Sequence, residues 1–418
     1  MRGRLLVVGC LLLIGTGLDV TPAFGRHENL SALLPGNPLE GSRLFTGKGC
    51  LRCHAVHGVG GTSGPDLGRG MLNRPLLEIA GVMWNHSPGM EHLFQEERVT
   101  RPKFEPPEMA SLLAFLYYLG SFDPPGDVAA GARLFRDKGC RTCHSLGGQG
   151  GSVGPPLDRY SHYAAPLALT TALWNRGRIM AGRMEEMRVS RATFEGNDIP
   201  NLLAFIRSTD GGTEHVYAAP GNPKRGEDLF TKKRCVECHS IRGHGGSIGP
   251  DLGIKLKGSL TQITGAMWNH APYMWVKMAE RGMAVPSLDM VEMGDLIAYL
   301  YFFQFIDPPG DARRGRAVYE EKQCGLCHGS AKAGQLVAPP LAGVVAKLPT
   351  PLEIITQMWN HAGRMEERMT EVNVAWPLLK GGEMADLIAY LLRDQGAVSR
   401  PANPKGSAPK RDRGQPAR

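Results

Sequence analysis

The stretch "CLRCH" at residues 50–54 is the first of four closely related pentapeptides in the chain. The other three are "CRTCH" (140–144), "CVECH" (235–239) and "CGLCH" (324–328). Their first cysteines lie 90, 95 and 89 residues apart. A motif repeated at a nearly constant period predicts tandem domains of one kind, so the 418 residues should form four small domains.

The pattern Cys-x-x-Cys-His indicates covalent attachment of a c-type haem. Two thiols on one helical turn can bond to the vinyl groups of the porphyrin, and the imidazole of the next residue then faces the iron. The predicted attachment residues are Cys50, Cys53, Cys140, Cys143, Cys235, Cys238, Cys324 and Cys327. The predicted iron ligands beside them are His54, His144, His239 and His328. Disulfides, a thioredoxin-like site and a zinc ribbon are the alternatives, although zinc has no use for a histidine after each second cysteine. The pattern therefore predicts four covalently bound haem c groups.

The sequence around each cysteine pair repeats as well. A helix-like segment such as "GSRLFTGKGC" (41–50) precedes the pair, and a Gly-rich loop ending in "GPDL", "GPPL" or "APPL" follows it. An amphipathic helix such as "MGDLIAYLYFF" (293–303) closes each unit, with apolar residues at helical spacing. We expect the first and last helices of the units to pack through Phe45, Phe135, Phe230 and Tyr319.

Together these segments resemble the class I cytochrome c domain over nearly all of residues 36–396. The resemblance implies an all-α fold of four tandem cytochrome c-like domains, at residues 36–122, 127–210, 221–306 and 311–396. It also implies an iron held by histidine on one side and usually by methionine on the other. The loop proline is implied to offer its carbonyl to Nδ1 of the haem histidine, which orients the imidazole. By position these prolines are Pro65, Pro155, Pro250 and Pro339.

The segment "MWNHSPGM" (83–90) contains the candidates for the second iron ligand. Its counterparts are "LWNRGRIM" (173–180), "MWNHAPYM" (267–274) and "MWNHAGRM" (358–365). The final methionine occurs in all four copies and is the predicted ligand: Met90, Met180, Met274 and Met365. The rivals each fail in one copy: the histidine (His86, His270, His361) is replaced by Arg176, and the later methionine (Met184, Met278, Met369) by Phe94. A further alternative is that all these methionines line an apolar helix face.

The other repeated residues of the segment leave several roles open. The tryptophan is expected to pack on the haem, to donate to a haem propionate or to pack in the core. The second copy also has a run of arginines, which is expected to be a solvated helix face or a site for propionates or an anionic substrate.

The linkers repeat at a second level. Domains 1 and 2 are joined by "FDPPGD" (122–127), and domains 3 and 4 by "IDPPGD" (306–311), whereas "STDGGTEHVYAA" (208–219) joins domains 2 and 3. A duplicated two-haem module explains this pattern. Because Pro-Pro makes a stiff joint, we expect the two domains within each module to hold a fixed orientation.

The two ends of the chain differ from its body. Residues 1–25 have a basic start and an apolar stretch at 5–18, which predicts a cleaved signal peptide and a periplasmic or otherwise exported protein; an uncleaved anchor at 5–18 is the lesser alternative. The net charge of +8 comes mostly from residues 397–418, which are predicted to be a disordered basic tail. No basic surface with interspersed aromatics suggests nucleic-acid binding. The charge of the tail suits peripheral association with a membrane or a respiratory complex.

These features predict an exported tetrahaem c-type cytochrome that relays electrons between redox partner proteins. Two alternatives stay open. One is a haem enzyme, a peroxidase or an oxyanion oxidoreductase, with an open haem in domain 2. The other is a haem subunit of a respiratory complex. No dedicated catalytic acid or base is evident, so no catalytic residue is predicted.

Overall fold

The four repeats fold into helical domains that share one order of elements. The computed structural model describes residues 36–68, 72, 74–123, 125–158, 165–209, 220–256, 258–303, 307–329, 338–348 and 350–398. The predicted signal peptide and nearly all of the predicted basic tail lie outside these residues. The described residues belong to one compact unit.

Each domain has a first helix, a turn that includes the cysteines, one or two central helices and a closing helix. In domain 1 these helices are α1 (Pro38–Gly47), α2 (Leu76–Asn85), α3 (Ser87–Glu96) and α4 (Pro106–Leu119). In domain 2 they are α5 (Val128–Asp137), α6 (Cys140–Cys143), α7 (Pro166–Glu186) and α8 (Asp198–Ser208).

Domains 3 and 4 follow the same order. Domain 3 consists of α9 (Pro223–Lys232), α10 (Leu252–Lys255), α11 (Leu260–Ala279) and α12 (Met290–Phe302). Domain 4 consists of α13 (Ala312–Glu321), α14 (Gly325–His328), α15 (Leu341–Val345), α16 (Pro351–Glu371) and α17 (Glu383–Val398). The cysteine turns of domains 1 and 3 contain the 3₁₀ helices Cys50–Arg52 and Cys235–Glu237.

Strands are minor elements of the described chain. They form three antiparallel hairpins of two residues per strand: β1 (Ala55–Val56) with β2 (Val59–Gly60), β3 (Ser145–Leu146) with β4 (Gln149–Gly150), and β5 (Ser240–Ile241) with β6 (His244–Gly245). The architecture is thus mainly helical, consistent with the predicted all-α class. No helix among the described residues is both long and apolar enough to cross a membrane.

The first helix of each domain crosses the closing helix at a glycine. At Gly41, a Cβ atom would lie 2.7 Å from the Cβ of Phe115 and would overlap the carbonyl group of Ser111. The equivalent glycines, Gly131, Gly226 and Gly315, meet the closing helix of their own domain in the same way. One turn beyond the glycine an aromatic pair completes the crossing, as the sequence predicts. The pairs are Phe45 with Phe115, Phe135 with Phe205, Phe230 with Tyr299 and Tyr319 with Tyr390, with ring centroids 5.5, 5.7, 5.7 and 5.6 Å apart.

The Trp-Asn pair of each central helix binds the loop before the closing helix of another domain. In domain 4, the Nε1–H of Trp359 donates to the carbonyl of Pro102 at 2.8 Å. The side chain of Asn360 makes two bonds with Phe104: its Nδ2 donates to the carbonyl at 2.8 Å, and its Oδ1 accepts from the backbone N–H at 3.0 Å. We call this arrangement the Trp-Asn contact.

The Trp-Asn contact is reciprocal between domains 1 and 4. Trp84 donates to the carbonyl of Pro377 at 2.8 Å, and Asn85 makes the same two bonds with Leu379 at 2.7 and 2.8 Å. The two domains therefore meet with the symmetry of a two-fold interface, in which the same patch is used on both sides.

Domains 2 and 3 pair in the same way. Trp174 donates to the carbonyl of Pro286, and Trp268 to that of Ala192, both at 2.7 Å. Asn175 bonds Leu288 at 2.7 and 3.1 Å, and Asn269 bonds Phe194 at 2.9 and 2.9 Å. Core packing, one of the three roles expected for the tryptophan, is confirmed for Trp84, Trp268 and Trp359, which are buried. The hydrogen bond of the indole with backbone of a neighbouring domain was not expected.

The fixed orientation expected of domains 1 with 2 and of domains 3 with 4 across their Pro-Pro joints stays a prediction. The Trp-Asn contact joins domain 1 with 4 and domain 2 with 3, a pairing that the linkers did not indicate. The physical reason is that every domain presents the same self-complementary patch. The patch alone does not choose its partner, and a short stiff joint need not let its own two domains fold back onto each other.

Domains 1 and 3 join the two pairs. The hydroxyl of Tyr117 donates to the carbonyl of Tyr301 at 2.6 Å, and their rings lie 4.9 Å apart. The hydroxyl of Thr261 donates to Asp123 at 2.6 Å. Contacts among the described residues therefore connect the domains in the spatial order 4–1–3–2.

Candidate functional site

The cysteine turn of each domain brings two thiols and a histidine together. The backbone N–H of His54 donates to the carbonyl of Cys50 at 2.9 Å, which closes one helical turn. The corresponding bonds of His144, His239 and His328 measure 2.9, 3.0 and 3.0 Å. This turn places the side chains of the motif on one side of the backbone, as attachment of a single porphyrin requires.

The thiols are those of free cysteines. All eight cysteines of the four motifs are unpaired in disulfides. Burial raises the pKa of Cys50, Cys140 and Cys235 to about 11, so these thiols are protonated at neutral pH. Within the described ranges no group of three or more His, Cys, Asp or Glu side chains is arranged to hold a metal ion on its own.

The motif histidine is held by a loop carbonyl in every domain. The Nδ1–H of His54 donates to the carbonyl of Pro65 at 3.1 Å. The corresponding distances are 2.9 Å for His144 with Pro155, 3.0 Å for His239 with Pro250 and 3.0 Å for His328 with Pro339. Because a carbonyl only accepts, the proton lies on Nδ1, and the lone pair of Nε2 is left for a metal ion.

A glycine packs against the ring of the same histidine. A Cβ atom on Gly64 would lie 2.6 Å from Cε1 of His54, and one on Gly249 would lie 2.5 Å from Nδ1 of His239. Gly154 is equivalent in domain 2, and Ala338 takes the position in domain 4. The loop thus orients the imidazole by one hydrogen bond and by close backbone packing. These residues fit a covalently attached haem, with the thiols as its tethers and Nε2 as a ligand of its iron.

The histidine of the Trp-Asn-His segment lies close to the motif histidine in two domains. The ring centroids of His239 and His270 are 6.2 Å apart, and those of His328 and His361 are 6.1 Å apart. Burial, and then the facing histidine, lower the pKa of His270 and of His361.

Domains 1 and 2 depart from this arrangement. In domain 1, α2 ends at Asn85 and α3 begins at Ser87, and Nδ1 of His86 lies 2.8 Å from the carbonyl oxygen of Val82. In domain 2 the equivalent residue, Arg176, is exposed.

The four predicted methionine ligands lie on the central helices. Met90, Met180, Met274 and Met365 are all half-buried. Met180 packs against the same buried core cluster as Cys140 and Leu157. The methionine ligation predicted for all four domains stays a prediction.

Two arginines at the domain interfaces were not predicted. The guanidinium of Arg191 lies 3.6 Å from the ring centroid of Trp268, and that of Arg101 lies 4.1 Å from the ring centroid of Trp359. Arg101 also pairs with Glu91 at 2.9 Å. Arg191 belongs to the arginine run of domain 2, so that run is not solely a solvated face. The shared pattern "RVTR" (98–101) and "RVSR" (188–191) could have indicated this role.

Comparison with known proteins agrees with the geometry. The family model described as Cytochrome c matches residues 128–210, 223–301 and 312–393, more than half of the chain. No curated protein matches the chain. The matched segments each contain the thiol turn, the loop carbonyl on the histidine and the closing helix described above. The chain therefore belongs to the cytochrome c family and is a haem c-binding electron-transfer protein.

Proposed function

We propose that the protein is an exported tetrahaem cytochrome that relays electrons between redox partners along its own chain of domains. The observation that supports this most strongly is the fourfold repetition of one site. The distance from Nδ1 of the motif histidine to the loop carbonyl varies by only 0.2 Å among the four domains, from 2.9 to 3.1 Å.

Domain 1 lies outside the family match, and its haem is part of the proposal. Its support is the complete motif of Cys50, Cys53 and His54, the hydrogen bond from His54 to Pro65 and the packing of Gly64 on the ring. A domain this small would also lack a sufficient apolar core without a covalently attached group.

Export and the relay rest on different observations. Residues 1–25 have the composition of a signal peptide, and covalent haem attachment is consistent with that. The relay is supported by the contacts that link the domains as 4–1–3–2, because electron transfer between haems requires that the domains that bind them lie next to each other. The donor and acceptor are redox proteins, and the basic tail offers a surface for an acidic partner.

Intact-mass measurement of the purified holoprotein tests the number of haems. We expect the mass of the chain without residues 1–25 plus four haems. The double variant Cys50→Ala, Cys53→Ala should lose one haem and leave three. A wild-type protein with three haems would contradict the proposal for domain 1.

Photoreduction tests the relay. A photoreductant attached to domain 4 should reduce one haem first, and the electron should then spread over the others at a rate independent of protein concentration. A second phase whose rate rises with concentration would mean that electrons move between molecules rather than along the chain. That result would contradict the relay.

A further inference from the structure

We propose that the histidine of the Trp-Asn-His segment, and not the methionine four residues later, is the second iron ligand in domains 1, 3 and 4. The residues are His86, His270 and His361. Domain 2 has no such histidine, and we assign its iron to Met180. This inference rests on the proposed function, since it concerns the haems that the relay would use.

The ring distances support the assignment in domains 3 and 4. An imidazole nitrogen lies about 2 Å from a transition-metal ion and about 1 Å from the centre of its own ring, so two imidazoles on opposite sides of one ion have ring centres about 6 Å apart. The observed separations are 6.2 Å for His239 with His270 and 6.1 Å for His328 with His361. Two independent copies of the site therefore hold their imidazoles at the spacing of a shared ion.

The phase of the central helix explains why the histidine is available. In α16, Trp359 and the fully buried Ala362 lie on the side that packs against domain 1. His361 points away from that side, toward His328. Met365 shares the face of His361 but lies one turn further on, about 6 Å along the helix axis. Only one side chain can occupy the ligand position opposite His328, and the ring distance favours His361.

Domain 1 contributes a second kind of observation. The Nδ1–H of His86 donates to the carbonyl of Val82 at 2.8 Å. This bond places the proton on Nδ1 and leaves the lone pair on Nε2, as in a metal-bound imidazole whose other nitrogen is anchored.

Domain 2 differs by substitution. Arg176 replaces the histidine, and its guanidinium, which only donates hydrogen bonds, offers no lone pair to iron. Met180 lies one turn later on α7, and both Met180 and Cys140, the first thiol of the attachment turn, pack against the same core cluster. We therefore assign the second ligand position of domain 2 to Met180.

The assignment predicts an uneven set of reduction potentials. Ligation by methionine and histidine raises the potential relative to two histidines. Domain 2 also stands at one end of the spatial order 4–1–3–2. Electrons that enter the chain should therefore collect on the haem of domain 2.

The ferric holoprotein allows a direct count. A methionine–iron(III) bond gives a weak charge-transfer absorption at the red end of the visible spectrum, and bis-histidine haem lacks it. We expect the charge-transfer absorption of the wild-type protein to have the intensity of one methionine–iron bond per chain. This absorption should be absent from the Met180→Leu variant. Two or more such bonds per chain would overturn the histidine assignment, and none would overturn the assignment of Met180.

Matched variants locate the ligand in domain 4. His361→Ala should convert one haem per chain to a high-spin form that binds carbon monoxide when reduced, whereas Met365→Leu should leave the spectrum unchanged. The reverse pattern would overturn the proposal. The number of methionine–iron bonds counted in the wild-type protein does not depend on whether either variant folds. The haem number from intact mass is measured separately, so a chain with four haems and the wrong ligands would refute this inference and leave the proposed function standing.

Discussion

Replacing Gly41 with alanine is expected to destabilise domain 1 by about 3 kcal/mol or more, the range of severe overpacking in a protein core. The added Cβ would overlap the carbonyl group of Ser111 and lie 2.7 Å from the Cβ of Phe115. Backbone on α4 cannot move aside as a flexible side chain can, so α1 would have to separate from α4. Urea denaturation followed by far-ultraviolet circular dichroism measures the loss, and the haem content of the purified variant shows whether domain 1 still forms.

Gly47 is the matched control for this prediction. It is the last residue of the same helix, and a Cβ atom there would have no neighbour within 4 Å. Gly47→Ala should therefore leave stability unchanged or raise it slightly, because alanine is the better helix former. Equal midpoints of urea denaturation for Gly41→Ala and Gly47→Ala would show that the close crossing of α1 and α4 does not limit the stability of domain 1.

Replacing Asn360 with leucine is expected to weaken the pairing of domains 1 and 4 by about 3 kcal/mol, since a buried polar group left without a partner costs roughly 1–3 kcal/mol. The substitution would leave both the N–H and the carbonyl of Phe104 without the bonds that Asn360 makes at 3.0 and 2.8 Å. The haem number should stay the same, because this asparagine contacts backbone of another domain. Small-angle X-ray scattering should show a larger radius of gyration, and denaturation should begin at a lower urea concentration.

The control for the pairing is Gln357→Leu. Gln357 is exposed on α16, three residues before Asn360, so the same kind of substitution there should change neither the radius nor the midpoint. An Asn360→Leu protein as compact and stable as the wild type would mean that the Trp-Asn contact does not hold the domains together.

Much of the single domain could be predicted from the sequence. The period of the cysteine motif indicated the repeated unit, and the spacing of apolar residues indicated its first and last helices. The packing of Phe45, Phe135, Phe230 and Tyr319 on the closing helices is confirmed. These features are local: each depends on residues within about one turn or within one repeat.

The role of the Trp-Asn pair could not be found in the same way. The sequence shows that tryptophan and asparagine recur in all four copies, while the histidine does not. It does not show the partners, because these are backbone groups in loops up to 294 residues away. Every residue has an N–H or a carbonyl of this kind, so the partner leaves no mark in the residue types.

The sequence by itself determined that the chain is built from repeated helical domains, each with a Cys-x-x-Cys-His motif, because thiol spacing and helical periodicity are properties of short segments. Only the tertiary structure decided which domains pair and which histidines face each other. Four copies of one self-complementary patch allow several pairings, and the choice depends on how the linkers and the contact of Tyr117 with Tyr301 arrange the domains in space. The facing of His270 and His361 toward the motif histidines depends likewise on the rotation of the central helix, which is set by its Trp-Asn contact with the neighbouring domain.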